Sequence, residues 1–357
     1  MNTFGQKIKV TIFGQSHADA IGVVIDGLEA DFFVDTDKVQ QFLDRRAPGK
    51  NSLSTQRKEG DKVKFLSGLY NGKTCGAPIC AIIENTDAHS KDYSELEAKM
   101  RPSHADYPAN VKFGGNFDVR GGGQFSGRMT APLCIAGAIL MQMLEKKGVY
   151  IGAHIKSVGG IEDDSFDSMC TDVSYVKRAA SKEFAVLNDQ KGALMKERII
   201  QAKEELDSVG GSIECMITGL EAGVGEPMFD GLENVIAHSV FAVPAVKGIE
   251  FGAGFEVSKM TGSQNNDPYV YDENGKVRTL TNNAGGICGG MSTSMPINFT
   301  VCIKPTPSIA KPQKTVNIKT GKDDILEIKG RHDPCIVQRA VPCIEAAAAV
   351  AIAQFLL

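Results

Sequence analysis

Three stretches of this chain set histidine and arginine among glycines, hydroxyls and carboxylates, the residue types that bind anions and move protons. The first is Gln15-Ser16-His17, between two β-branched apolar runs, residues 8–13 and 21–25, that read as strands. A histidine at a strand end can give or take a proton near neutral pH, and it can equally be tied to backbone in a tight loop. The second is Arg101-Pro102-Ser103-His104-Ala105-Asp106-Tyr107, with a cation, an imidazole and a carboxylate inside a turn or two. The alternative for it is a polar surface loop. The third is Arg120-Gly121-Gly122-Gly123-Gln124-Phe125-Ser126-Gly127-Arg128, directly before a helix. Consecutive glycines let backbone N–H groups converge on an anion, and a helix N-terminus adds partial positive charge. Arg120 and Arg128 bracket the run and can grip carboxylate or phosphate with two donors each.

Two further stretches are less specific. Gly330-Arg331-His332-Asp333-Pro334 places Asp before Pro where a helix begins, the pattern of a capping residue and also a place for a proton acceptor. Asn282-Asn283-Ala284-Gly285-Gly286-Ile287-Cys288-Gly289-Gly290 allows close backbone approach to a flat ligand, and Lys304-Pro305-Thr306-Pro307-Ser308 adds hydroxyls for phosphate. Together these stretches point to a small, multiply anionic ligand and to acid–base work without a metal.

The elements that must carry them follow from periodicity. Residues 35–46 form a helix, with Val39, Phe42 and Leu43 on one face and Ala47-Pro48-Gly49 ending it. Residues 63–69 and 78–84 form a hairpin around Asn71-Gly72. Residues 130–147 form a strong helix that Thr130 can cap, and residues 191–208 form an amphipathic helix ended by Gly210-Gly211. Residues 212–218 and 298–304 read as strands, and the last helix follows Asp333-Pro334. Residues 87–128 and 262–291 read as irregular, and long irregular stretches in a compact protein are often functional. No linker or repeat divides the chain, so one α+β domain over 1–357 is expected.

Composition removes several classes. A net charge of −4 and no interleaving of basic and aromatic residues argue against a nucleic-acid partner. Nine scattered Cys lack C-x-x-C pairs, and the six His are dispersed, so no metal site is expected and a reducing, cytoplasmic setting fits. The first ten residues lack the apolar run of a signal peptide, and no uninterrupted membrane span is expected, residues 341–357 being short and carrying Glu345. Gly68-Leu69-Tyr70-Asn71-Gly72-Lys73-Thr74 resembles a P-loop but is one residue short and falls in a hairpin turn, so it is set aside.

Read as an ordered set, GQSHADAIGVVIDG, DRRAPG, RKEGDKVKFLSGLYNGKTCGAPI, RPSHADY, RGGGQFSGR, GVGEPMFD, AVKGIEFGAGF, NNAGGICGG, KPTPSI and GRHDPC resemble the chorismate synthase family from Gly14 to Glu345. That resemblance implies a β-α-β sandwich fold. It implies a 1,4-anti elimination of phosphate from 5-enolpyruvylshikimate 3-phosphate, dependent on reduced FMN, with no net redox change. It also implies a homotetramer, and flavin reduced either through NADPH or by a separate reductase. By family position His17 is the acid that protonates the flavin or the departing phosphate. His104 stabilises the reduced flavin, Asp333 is the base acting through flavin N5, and Ser16 stands near that proton path. Gln124, Phe125, Ser126, Pro244, Ala245, Gly289, Lys304, Pro305, Thr306, Pro307, Ser308 and Arg331 fall at flavin positions. Arg46, Arg101, Arg120, Arg128 and Arg339 are the further arginines for the anionic substrate, Arg46 standing where NADPH or substrate is assigned.

The chain departs from the family pattern at Gln15, Ala18, Ala47, Ser52, Gln124, Phe125 and Met129. Three of these departures, at Ala47, Ser52 and Gln124, replace an arginine of the pattern. Lys50 and Arg57 stand near enough in sequence to supply charge, and Phe125 can stack on a flat ring. The rival reading is a catalytically silent homologue that binds flavin or an anionic metabolite.

Overall fold

The computed structural model describes residues 1–49, 60–85, 96–328 and 333–357. Ile21, Val23 and Ile25 alternate inward along the strand Ala20–Asp26, and Ile79, Ala81 and Ile83 do the same along Ile79–Glu84. These two strands pair antiparallel, Val23 opposite Ala81, at the middle of a five-stranded sheet. Its order is Thr3–Phe4, Lys9–Gly14, Ala20–Asp26, Ile79–Glu84, Lys64–Ser67. A second five-stranded antiparallel sheet runs Val246–Phe251, Ile297–Ile303, Gly211–Thr218, Tyr150–Val158, Ile161–Glu162.

Two helices fill the space between the sheets. Thr130–Lys146 packs on the first sheet and on Tyr150–Val158, and Val337–Leu356 packs on Tyr150–Val158 and Gly211–Thr218. Both are buried nearly all round, as a central layer requires. They cross very closely: a Cβ added to Gly137 would lie 2.3 Å from that of Ala346. Glu345 is buried in this layer, held by Arg45 at 2.6 and 2.9 Å and by the Ala153 amide at 3.0 Å. Two anchored donors on one carboxylate are what make a buried charge tolerable. The result is the sheet–helix–sheet sandwich and α+β class expected from sequence.

Several local expectations change. Residues Gly127–Lys146 and Val337–Leu356 are long and apolar enough to cross a membrane, where none was expected, but 83% and 78% of those windows lie buried inside the protein. Thr130 does not cap its helix. It lies inside it, and its hydroxyl donates to the Gly127 carbonyl at 2.6 Å. The amphipathic helix is Asp189–Glu204, capped by the Asn188 side chain, and it stops well before Gly210-Gly211. The two stretches read as irregular contain a helix, Asp106–Lys112, and two short hairpins, Tyr269–Tyr271 with Val277–Thr279 and Ile287–Cys288 with Met291–Ser292. The rejected P-loop is indeed a hairpin, Leu69–Tyr70 with Lys73–Thr74.

Candidate active site

The glycine run forms a seam between the two histidines. Gly121, Gly122 and Gly123 take φ of 57°, 85° and 53°, a left-handed series that only glycine adopts without strain. A Cβ on Gly121 would fall 2.4 Å from His17 Cε1 and 2.6 Å from the Ser16 hydroxyl oxygen. A Cβ on Gly122 would fall 3.3 Å from His104 Nε2. The Ser16 amide donates to the Gly123 carbonyl at 3.1 Å, fastening the first motif to the third.

The second motif closes on itself. Arg101 Nε donates to Asp106 Oδ2 and its Nη2 to Oδ1, both at 2.7 Å, and the Arg101 amide adds a third bond at 3.1 Å. His104 Nδ1 lies 2.6 Å from Asp106 Oδ1. Burial alone would raise the Asp106 carboxyl, but the Arg101 guanidinium and the His104 ring outweigh it and hold the group well below the ordinary carboxylate range. The ionised carboxylate accepts, so Nδ1 carries the hydrogen and Nε2 is directed at the glycine seam.

A second carboxylate, Asp61, organises two more arginines. Arg46 donates to Asp61 Oδ2 at 2.7 Å, and Arg128 donates to Asp61 Oδ1. Asp61 is buried and has φ of 33°. Arg46 also reaches the Thr130 hydroxyl at 3.2 Å and the Gly127 carbonyl at 3.3 Å. Arg339 joins them, donating to the Arg46 carbonyl at 3.0 Å and to Asp333 at 2.5 Å. Asp333 is thus the partner of Arg339 and does not cap the last helix, whose N-cap is Ile336.

These groups face one cleft of about 560 Å³. Its walls carry Arg46, Arg101, Arg128, Arg339 and Lys304, with His104 and Asp333 among them. Phe125, Val243, Pro244, Ala245 and Pro307 supply apolar surface, and Gln124, Ser126, Thr306 and Ser308 supply polar groups. Lys304 donates to the Ser103 carbonyl, and burial, then Lys247, push its ammonium below the usual lysine range. Ser103 and Ala245 both hold positive φ, 56° and 75°, a strained conformation that clusters at functional sites. The Thr306 hydroxyl is buried without a hydrogen-bond partner among the described residues, as a group awaiting a ligand would be.

Not every expected residue lines this cleft. Ser16 and His17 are buried behind Gly121. Arg120 is exposed and tied to Asp118 at 2.8 and 2.9 Å. Gly289 sits in the tight turn between Cys288 and Met291, and neither it nor Pro305 is in the wall. Arg331 and His332 lie outside the described residues, as do Lys50, Ser52 and Arg57. Three divergent positions, Gln15, Gln124 and Phe125, meet around a smaller hollow of about 90 Å³ beside the cleft. Sequence reasoning missed Asp61 and the wall residues Ala242, Val243 and Cys343, which carry no local pattern to mark them.

Comparison with known proteins agrees with this geometry. The family model for chorismate synthase matches residues 8–357. Chorismate synthases of Dehalococcoides mccartyi, Lachnoclostridium phytofermentans and Korarchaeum cryptofilum are 43%, 45% and 42% identical to this chain. The alignments cover 100%, 100% and 99% of it and 96%, 95% and 97% of those proteins. A crystal structure of chorismate synthase superposes with a TM-score of 0.77 at 25% identity, covering 99% of this chain and 93% of that one. The chain belongs to the chorismate synthase family. It is accordingly a lyase of aromatic biosynthesis.

Proposed function

We propose that this protein eliminates phosphate from 5-enolpyruvylshikimate 3-phosphate to give chorismate, with reduced FMN bound in the same cleft. The observation that carries this reading is the convergence of four arginines and a lysine on one cleft beside His104 and Asp333. The substrate bears a phosphate and two carboxylates, and guanidinium groups fixed by their own carboxylate partners are suited to such anions.

The wall also fits a flavin. Its volume lies in the range of cofactor sites, its apolar face can receive a flat ring, and Thr306 offers an unsatisfied hydroxyl. Reduced FMN held there would lend electron density to the elimination transiently, with no net redox change. Phe125, Pro244 and Ala245 would hold the ring, and Lys304, Thr306 and Ser308 the phosphate.

The protein's own groups do the rest. Arg46 and Arg128 bind the departing phosphate, their orientation set by Asp61. Arg46 shares this wall with Arg128, which favours substrate over a separate NADPH site. His104 presents Nε2 to the glycine seam because Asp106 holds Nδ1. Asp333 takes the proton leaving C6, and His17 gives a proton to the departing phosphate past Gly121, with Ser16 beside it. Such proton transfers each contribute on the order of 100- to 10,000-fold. Exposed Met228, Phe229, Phe255, Tyr269 and Tyr271 support the homotetramer implied by the family, in a cytoplasmic protein.

Anaerobic phosphate release from 5-enolpyruvylshikimate 3-phosphate, with and without chemically reduced FMN, tests the reading. Release only with reduced FMN is expected. Flavin binding without release would establish the silent homologue instead, and release without flavin would remove the cofactor from the mechanism.

A further inference from the structure

Cys134 and Cys343 lie on the two central helices with their sulfurs 3.9 Å apart. Both are buried, and Cys343 forms part of the cleft wall. Three residues further along each helix stand Gly137 and Ala346, where a Cβ added to Gly137 would fall 2.4 Å from the Ala346 Cα. The equal spacing means that the helices run side by side here, and their backbones are near enough for side chains of cysteine length to meet. A disulfide needs the sulfurs at roughly 2.05 Å, a closure that side-chain rotation supplies when backbones are this close. All nine cysteines are free thiols, and no other two sulfurs are in contact among the described residues.

We propose that Cys134 and Cys343 form an oxidisable dithiol at the floor of the cleft, which peroxide converts to a disulfide joining the two central helices. The cleft gives a small oxidant access to Cys343, and the helix crossing supplies the second thiol. The surroundings favour Cys343 as the attacking sulfur. Its hydrogen bond with Cys134, then the Arg46 and Arg339 guanidiniums, outweigh burial and bring the thiol down to about 7. Burial, with the neighbouring Cys343 sulfur, pushes Cys134 up. The Cys343 thiolate attacks one peroxide oxygen, the O–O bond breaks, and hydroxide leaves and is protonated to water. The Cys134 sulfur then attacks the resulting sulfenic acid, forming the S–S bond, and its proton leaves with the second hydroxide as water. The two sulfurs lose two electrons and peroxide gains them. Closing the bridge also removes the Cys343 thiol from the Arg339 carbonyl, which it contacts at 3.4 Å.

The test is peptide mapping of the full chain after limited hydrogen peroxide and alkylation of the remaining thiols. The expected product is a Cys134–Cys343 linked peptide pair, lighter by two hydrogens and restored by dithiothreitol. Cys343 and Cys134 should leave the alkylatable pool together, one for one, as the linked pair accumulates. In Cys134→Ala the Cys343 thiol should stop at the sulfenic acid and be trapped by dimedone. Recovery of alkylated Cys343 while Cys75, Cys288 and Cys302 are oxidised would overturn the proposal, as would Cys343 linked to any other cysteine.

Discussion

One oxygen of the Asp106 carboxylate receives both Arg101 Nη2, at 2.7 Å, and His104 Nδ1, at 2.6 Å. The imidazole and one arm of a cleft cation therefore share a single buried oxygen, while the Arg101 Nε and amide hold the other. Asp106→Asn keeps the volume but puts an amide where the charge was. Hydrogen bonds to charged groups contribute about 1.5–3 kcal/mol each, so turnover should fall roughly 10- to 150-fold. Melting should drop as well, because Arg101 is left buried without its countercharge. Steady-state kinetics and a thermal melt read both effects. Unchanged kinetics with a lowered Tm would confine Asp106 to stability.

Asp61 holds Arg46 and Arg128 by its two separate oxygens. Asp61→Asn should cost about 3–5 kcal/mol of stability, as breaking one partner of a buried ionic cluster does. The released guanidiniums then become available to an outside anion. Inorganic phosphate should accordingly raise the Tm of the variant more than that of the wild type. Equal phosphate shifts in the two proteins would show that Asp61 does not control these arginines.

Gly121 separates His17 from the cleft side of the glycine seam with no room for a methyl group. Gly121→Ala combines a disfavoured φ of 57° with contact at 2.4 Å, and a loss of about 1–3 kcal/mol is expected. His17 must shift to relieve it. A fall in kcat larger than the fall in flavin affinity is therefore expected, measured by turnover beside an FMN titration. Normal kcat would place His17 outside the reaction.

Much of this architecture was legible in the chain. The period-two runs around Val23 and Ala81 and the apolar stretch after Thr130 declare themselves, because a strand face and a buried helix are local properties. The glycine run was legible for the same reason: left-handed backbone demands glycine. Asp61 was not, since its role depends on Arg46 and Arg128 from two other elements meeting it in space. The cap that Asp-Pro before a helix offered for Asp333, beside its reading as a proton acceptor, does not form, because the folded chain brings Arg339 to it. Thr130 failed likewise, the Gly127–Met129 turn having already begun the helix. The order of the motifs identified the family where no single motif did.

Asp333 can now be separated from a capping role. Its carboxylate is tied to Arg339 at 2.5 Å and supports no helix N–H as a cap. Asp333→Asn preserves an oxygen for Arg339, and this pair is less buried than the Asp61 and Asp106 pairs, so Tm should fall less than in those variants. As the proton acceptor, Asp333 should be worth on the order of 100-fold or more in turnover. Retained activity in the variant, with normal phosphate release, would reduce Asp333 to an anchor for Arg339.

A charged network outside the cleft governs the response to pH. His154 is fully buried between Glu214, 2.7 Å from Nε2, and Asp163, 3.3 Å from Nδ1. Burial opposes its protonation, but the two carboxylates outweigh burial and raise the imidazole above its ordinary value. Asp163 is held low: burial opposes ionisation, but His154 and the Leu187 and Asn188 amides, at 2.6 and 3.0 Å, outweigh it. The signs then follow. The His154 contribution is complete below its unfolded pKa of about 6.5 and is lost as pH rises through the higher folded value. The Asp163 contribution is complete above its unfolded pKa of about 3.9 and is lost as pH falls through the lower folded value. The Tm difference between wild type and His154→Gln should therefore be largest near pH 5–6.5 and shrink above it. Thermal melts from about pH 5 to 9 measure that difference. A difference that stays constant across this range would mean that His154 is neutral in the folded protein and that the network is held by uncharged hydrogen bonds.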